Sequence, residues 1–353
     1  MARALVTGAT GFIGSHLVRD LTRRGCEVTC LVRKSSSLSS LNEYRPRFVI
    51  GDIMDIDAVQ QAMEGADIVY NLAGVTKALR ESDFVEPNVT GARNVAACCS
   101  KAPNDPVLVH VSSLAAAGPS TCQRPRVETD AADPVSRYGK SKRAGELAVI
   151  EFASKIPISI VRPPIVLGEG DRDGFEMFKG IANWGVHLAP SLDDDRVSVI
   201  HADDLSNALI QVGMRGRRVT QSPDDSAGIY FASSGEDPTY AELGRMIGKA
   251  LGRDHTWVVH APKSAVWGIA AINELVSQAC RRPHILNLDK AREATAGSWT
   301  CSSDALQHDV GFAADRPLFQ RLVQTGEWYR EQGWLSGQRQ RRPAFESRHT
   351  SVS

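Results

Sequence analysis

Tyr138-Gly139-Lys140-Ser141-Lys142 sets a phenol and an ammonium four residues apart, and on a helix that spacing puts both on one face. A free phenol titrates near ~10, too high for a base at neutral pH. Lowering it by about three units requires roughly 4 kcal/mol of preference for the phenolate. One ammonium about 4 Å away supplies on the order of 4 kcal/mol at an effective dielectric of ~20, so Lys142 alone is enough. Lys140, at i+2, faces away. Such pairs are commonplace on helices; this one stands out because it lies one strand–helix step beyond Ser112-Ser113. Those serines follow the apolar run Val107 to Val111, and a hydroxyl just past the carboxyl end of a strand can donate to a substrate oxygen. The implied chemistry is proton transfer at an oxygen, with a hydroxyl to hold it and a tuned phenol to protonate it. His110, inside the same run, reads as a packed core residue rather than a catalyst.

A second group of residues could hold a phosphate. Gly8-Ala9-Thr10-Gly11-Phe12-Ile13-Gly14 stands between a short apolar run, Ala4 to Thr7, and a helical pattern from Gly11 to Arg24. Gly8 allows the tight turn, Gly11 lets backbone approach a pyrophosphate, and Gly14 lets the helix pack closely on the strand. The helix start at Phe12 and Ile13 offers N–H groups and a positive dipole end. At the end of the second strand, where NAD enzymes carry an acid for the ribose 2′-hydroxyl, the chain reads Leu31-Val32-Arg33-Lys34-Ser35. Arg33 can pair with a 2′-phosphate, which favours NADP; NAD stays as the alternative, with Arg33 and Lys34 as solvated charges. Asp52, in Gly51-Asp52-Ile53, is placed to accept from the adenine amino group, and Leu72-Ala73-Gly74 supplies small residues beside the adenosine.

These residues need a scaffold that brings strand ends together. The first third alternates β-branched runs (Glu27 to Val32, Phe48 to Ile50, Ile68 to Leu72) with helical patterns (Ala58 to Met63, Val89 to Cys99, Tyr138 to Ala153). With Ile158 to Val161 as a sixth strand, this predicts an α/β fold, a Rossmann doubly wound parallel sheet with a smaller C-terminal substrate-binding domain. Residues 1–165 form the dinucleotide-binding domain, 196–215 return to it, 166–335 bind substrate, and 336–353 form a disordered tail. Gly168 to Asp195 shows no clean period; Val197 to Ile200, Asp203 to Met214, Ile229 to Ala232, Tyr240 to Leu251, Ala265 to Cys280 and Leu318 to Gln332 are further elements.

At 353 residues the chain is long enough for its own core. Forty-one basic and 41 acidic residues leave no net charge, against a general nucleic-acid binder. Seven scattered cysteines without CxxC spacing predict no metal site and a reducing compartment. No signal peptide or spanning segment is read, and the expected location is cytoplasmic.

Jointly, Thr7-Gly8-x-x-Gly11-x-x-Gly14, Asp52, Asn71 to Gly74, Ser112-Ser113, Tyr138-x-x-x-Lys142, Arg162-Pro163-Pro164 and Ile200 to Asp204 resemble the extended short-chain dehydrogenase/reductase family, also called the NAD-dependent epimerase/dehydratase family, over about residues 1–335. The resemblance implies that Tyr138 is the general acid/base, that Lys142 lowers its pKa and binds the nicotinamide ribose, and that Ser113 rather than Ser112 is the catalytic hydroxyl. It also implies that Pro164 lines the nicotinamide pocket, that Asn88 is structural, and that a homodimer forms through a helix pair. Departures narrow the substrate. Leu114 and Ala115 stand where sugar-nucleotide dehydratases carry an Asp-Glu pair, and Pro163-Pro164-Ile165 lacks the Asn by which many epimerases hold a nucleotide. Ser112 to Gly118 is similar to the dihydroflavonol-reductase and 3β-hydroxysteroid-dehydrogenase branches. The expected activity is therefore an NAD(P)-dependent oxidoreduction of a carbonyl or secondary alcohol on a small, fairly apolar substrate. A nucleotide-sugar epimerase with tightly bound NAD is the alternative. A non-catalytic dinucleotide sensor is disfavoured, since Tyr138 and Lys142 are both present. The apolar block around Ala265 to Cys280, with Trp267 and Ile272, reads as core, as a pocket wall, or as a lid making peripheral membrane contact.

Overall fold

The computed structural model describes residues 2–121, 124–190, 195–222, 225–280 and 287–335. The first half runs β1 (Arg3–Thr7), α1 (Phe12–Arg23), β2 (Glu27–Val32), β3 (Arg47–Ile50), α2 (Ile56–Met63), β4 (Ile68–Asn71), α3 (Ser82–Val85), α4 (Ala92–Cys99), β5 (Val107–Val111), α5 (Arg137–Ile150) and β6 (Ile158–Arg162). There follow β7 (Ile165–Leu167), α6 (Arg172–Trp184), β8 (Val186–Ala189), β9 (Val199–His201), α7 (Ala202–Arg215), β10 (Ile229–Phe231), α8 (Tyr240–Ala250) and β11 (Trp257–His260). The last helices are α9 (Lys263–Cys280), α10 (Leu288–Ala294), α11 (Asp304–Val310) and α12 (Leu318–Glu331).

Seven strands form one parallel sheet in the order β10-β6-β5-β4-β1-β2-β3. The winding reverses between β1 and β4, so a crevice opens at their carboxyl ends, where such sheets bind ligands. Both faces are covered, which is why the strands read as near-continuous apolar runs. Leu17 of α1 and Leu205 and Leu209 of α7 pack on one face; Val59 of α2 and Val95 and Cys99 of α4 pack on the other, all fully buried.

Several elements differ from the sequence expectation. The Gly- and Asp-rich span from Gly168 contains α6 and β8. Asp171 caps α6, accepting from the amides of Asp173 (2.9 Å) and Gly174 (3.0 Å). A side chain on Gly174 would stand 2.2 Å from that carboxylate, so the glycine that obscured the helix permits its cap. The predicted helix Val89 to Cys99 begins as a π-turn over Glu86–Gly91 and becomes α-helical only at Ala92. The strand near Val199 pairs with β7 in a small separate sheet, while β10, inside the 166–335 stretch, forms the edge of the main sheet. The tail 336–353 and Cys122 lie outside the described residues; the other six cysteines are free thiols. No described helix is long and apolar enough to cross a membrane.

Candidate active site

The glycine turn closes against the exit of β4. Gly8 has φ of +68°, and a Cβ there would lie 2.8 Å from the backbone of Leu72 and Ala73. A Cβ on Gly14 would lie 2.2 Å from the Gly8 carbonyl oxygen, so α1 touches the turn itself. The N-terminus of α1, at Gly11, Phe12 and Ile13, has no side-chain cap and no acid in its first turn. A cradle that any Cβ would fill, beside an uncapped helix start, fits the pyrophosphate of a dinucleotide. Arg33 follows β2, exposed and without a side-chain partner among the described residues. Asp52 is half-buried; one carboxylate oxygen accepts from the Met54 amide at 3.0 Å. Ile53 is buried under the π-turn, where Gly91 has no room for a side chain beside it. Leu72 and Ala73 are half-buried and Gly74 is exposed, at the end of β4 next to the Lys142 ammonium.

Ser113, Tyr138 and Lys142 meet beyond the carboxyl end of β5. Ser113 caps the turn Leu114–Ala116, its Oγ accepting from the Ala115 amide at 3.1 Å, and its hydroxyl stands near the Tyr138 phenol, whose ionised form it favours. The Leu114 amide donates to the Pro163 carbonyl at 2.9 Å, tying the Ser113 turn to the loop that carries Pro164 after β6. Lys142 is buried, and its Nζ donates to the Val111 carbonyl at 2.8 Å. Burial lowers its pKa to about 8, against the opposing pull of Glu146. Burial pushes the Glu146 carboxyl up, but the Arg162 guanidinium, bidentate at 2.8 and 2.7 Å, holds it down to about 2.

Spacing alone predicts a phenol lowered by Lys142. In the structure the Tyr138 phenol lies above its ordinary value, because burial outweighs the charges that favour the phenolate. The cation that opposes burial is Lys290 of α10, whose Nζ stands 5.2 Å from the centre of the Tyr138 ring. Lys290 is held by Glu293 at 2.7 Å; Glu293 in turn accepts from the Ser136 hydroxyl at 2.6 Å. Asp289 accepts from the amides of Arg137 and Tyr138, at 2.7 and 3.1 Å. The first turn of α5 is thus clamped by three charged side chains of α10. None was singled out from sequence: Asn287 signals a helix start, but nothing local says that this helix docks on Tyr138 some 150 positions earlier.

Asn88 joins these parts. Its amide group bridges both backbone groups of Val75 (2.9 and 3.0 Å) and donates to the Ser141 hydroxyl of α5 at 2.9 Å. His110 is fully buried, with Nδ1 3.1 Å from the Asn71 side-chain nitrogen. Burial, with Lys142 nearby, lowers its pKa to about 3, so it is neutral at physiological pH. That suits packing, not proton transfer.

The profile of the NAD dependent epimerase/dehydratase family matches residues 4–220. A ceramide reductase from Caulobacter vibrioides is 30% identical over 332 residues, covering 94% of this chain and 95% of that protein. A putative dihydroflavonol 4-reductase from Synechocystis is 34% identical over 220 residues, 60% of this chain and 63% of its own. Among solved structures, a UDP-glucose 4-epimerase from Thermotoga maritima superposes with a TM-score of 0.74 at 18% identity, covering 94% of this chain and 99% of that one. With its seven-stranded sheet, its glycine cradle and these relatives, the chain belongs to the NAD-dependent epimerase/dehydratase family and is an NAD(P)-dependent enzyme of the extended short-chain dehydrogenase/reductase type.

Proposed function

We propose that the protein is an NADP-dependent reductase that interconverts a carbonyl and a secondary alcohol on an apolar, lipid-like substrate. The observation that carries this reading is the surroundings of Ser113. Leu114 and Ala115, which follow it directly, are buried and apolar, so the Ser113 turn adds no acid or base for an elimination. Serine, phenol and buried ammonium suffice for a carbonyl. The near full-length similarity to a ceramide reductase supports the same substrate class.

When bound, the nicotinamide supplies the hydride. Ser113 Oγ donates to the carbonyl oxygen and fixes it next to the Tyr138 hydroxyl. Tyr138 gives its proton to that oxygen as negative charge develops there. Lys142 keeps positive charge beside the phenolate that results and offers donors to the nicotinamide ribose. Arg33 holds the 2′-phosphate. Glycines 8, 11 and 14 and the amides of Phe12 and Ile13 hold the pyrophosphate.

The test is NADPH consumption by the purified chain on a panel of long-chain ketones, with and without Tyr138→Phe. The variant should lose on the order of 10²- to 10⁴-fold in turnover, the usual share of a general acid. Full turnover in Tyr138→Phe would overturn the mechanism. If a UDP-sugar is epimerised with retained NAD and no ketone is reduced, the substrate class is wrong.

A further inference from the structure

We infer that Lys290 is a specificity-determining residue: its ammonium takes a neutral hydrogen-bond acceptor of the substrate, an amide or ester carbonyl next to the ketone that Tyr138 protonates. The inference rests on the reductase reading above and names the part of the substrate that flanks the reacting carbon. The Lys290 Nζ lies 5.2 Å from the centre of the Tyr138 ring, less than two hydrogen-bond lengths. Both residues are half-buried, and the Lys290 side chain is 33% exposed, so a molecule held at the phenol also reaches the ammonium. An ammonium carries three N–H donors. Among the described residues one acceptor meets this one, the Glu293 carboxylate at 2.7 Å. A substrate that covers the remaining donors must offer them an acceptor, or their desolvation is left unmatched. The other ammonium of the site is turned away: Lys142 is buried and donates to the Val111 carbonyl at 2.8 Å.

The charges on α10 favour a neutral acceptor over an anion. Glu293 balances the Lys290 ammonium, and its other oxygen accepts from the Ser136 hydroxyl at 2.6 Å, which holds the carboxylate in place. Asp289 pairs with Arg292 at 3.6 Å. An anionic group on the substrate would find no spare cation on this helix and would meet the Glu293 carboxylate, whereas a carbonyl oxygen needs only a donor. The rest of the surroundings is apolar: the Phe84 ring lies 6.2 Å from that of Tyr138, and Leu114 and Ala115 are buried next to Ser113. One polar anchor in an apolar setting orients a substrate and discriminates strongly, because an analogue that lacks the acceptor leaves the anchor unpaired.

The experiment gives the full chain, with NADPH, three long-chain substrates that differ only beside the ketone: a plain ketone, a β-keto amide and a β-keto phosphonate. The readout is the ratio of kcat/KM values within one enzyme, compared between wild type and variant. A change in the acidity of Tyr138 or in folding acts on all three substrates and cancels in that ratio. Wild type should prefer the amide to the ketone and to the phosphonate. Lys290→Met should cut the preference for the amide over the ketone by on the order of tenfold or more, the usual worth of a hydrogen bond to a charged group. Should that variant not fold, Lys290→Gln decides in the same way: its uncharged donor should cut the preference severalfold. A wild type that does not distinguish amide from ketone, one that favours the phosphonate, or a preference that survives in the variant overturns the inference. If no ketone is reduced, the reductase reading falls and binding tests Lys290 separately. With the oxidised cofactor present, a β-hydroxy amide should then bind wild type more tightly than the plain alcohol, and Lys290→Met should bind the two alike. Equal binding by wild type, or a difference kept in the variant, overturns the inference there too.

Discussion

Tyr138 meets a cation from another helix: Lys290 of α10 lies against its ring, while Lys142 of its own helix is directed to the Val111 carbonyl. Removing Lys290 removes a charge that favours the phenolate, so Lys290→Met should move the alkaline limb of the pH–rate profile upward by roughly half to one pH unit. Lys290→Arg should keep the limb near its wild-type position. A profile unchanged in Lys290→Met would show that the ammonium does not act on the phenol. At the other end of the cofactor cradle, Arg33 has no competing side-chain partner among the described residues. Arg33→Asp should reverse the preference between NADPH and NADH, with NADPH weakened by on the order of tenfold or more through loss of a charge-assisted pair and gain of a repulsion. Equal affinities in wild type and variant, read by cofactor titration, would leave the 2′-phosphate without its proposed holder.

Helix α5 is positioned by contacts at three levels. Its N-terminus is capped by Ser136, whose Oγ accepts from the Gly139 amide at 2.8 Å, and by Asp289 of α10. Its middle lies against the π-turn at Asn88, where a Cβ on Gly145 would stand 2.2 Å from the Asn88 carbonyl oxygen. One turn below Lys142, Glu146 pairs with Arg162 at the end of β6; both are almost fully buried, and Arg162 also stacks on Phe231 of β10. This pair locks helix to sheet across the site. Glu146→Gln removes the hydrogen-bonded counter-charge of the buried guanidinium and leaves only the field of Glu128 to oppose it; removing one partner of such a pair costs about 3–5 kcal/mol. Urea unfolding should show that loss. A change below about 1 kcal/mol would mean that water reaches Arg162 and that the pair is not what fixes the helix.

For the molecule as a whole, buried histidines set an acid limit. Burial lowers the pKa of His110 to about 3 and of His187 to about 4, against an ordinary 6.5. Between 6.5 and those values the unfolded chain binds protons that the fold refuses. Stability contributed by the neutral rings is complete above 6.5 and is lost as pH falls below it, by up to about 1.4 kcal/mol per pH unit per group. The thermal midpoint should fall between pH 6.5 and 4.5, and less steeply in His110→Gln; parallel slopes would exclude His110 as a source. The parallel sheet and the glycine turn were legible because they are local: strand, Gly8, helix, at fixed spacing. Helix α6 was obscured because Gly174 weakens a helix by propensity, while the Asp171 cap and the burial of Phe178 restore it. The placement of β10 and the docking of α10 on Tyr138 are long-range pairings that no periodicity encodes. The central claim is hydride delivery to a carbonyl that Tyr138 protonates, and deuterium tests it most directly. With NADPH carrying deuterium at both hydrogen positions of nicotinamide C4 and a long-chain ketone, mass spectrometry of the wild-type product should show one deuterium on the carbinol carbon, formed at a rate that Tyr138→Phe lowers by about 10²-fold or more. A product without deuterium, or one formed equally fast by Tyr138→Phe, would contradict it.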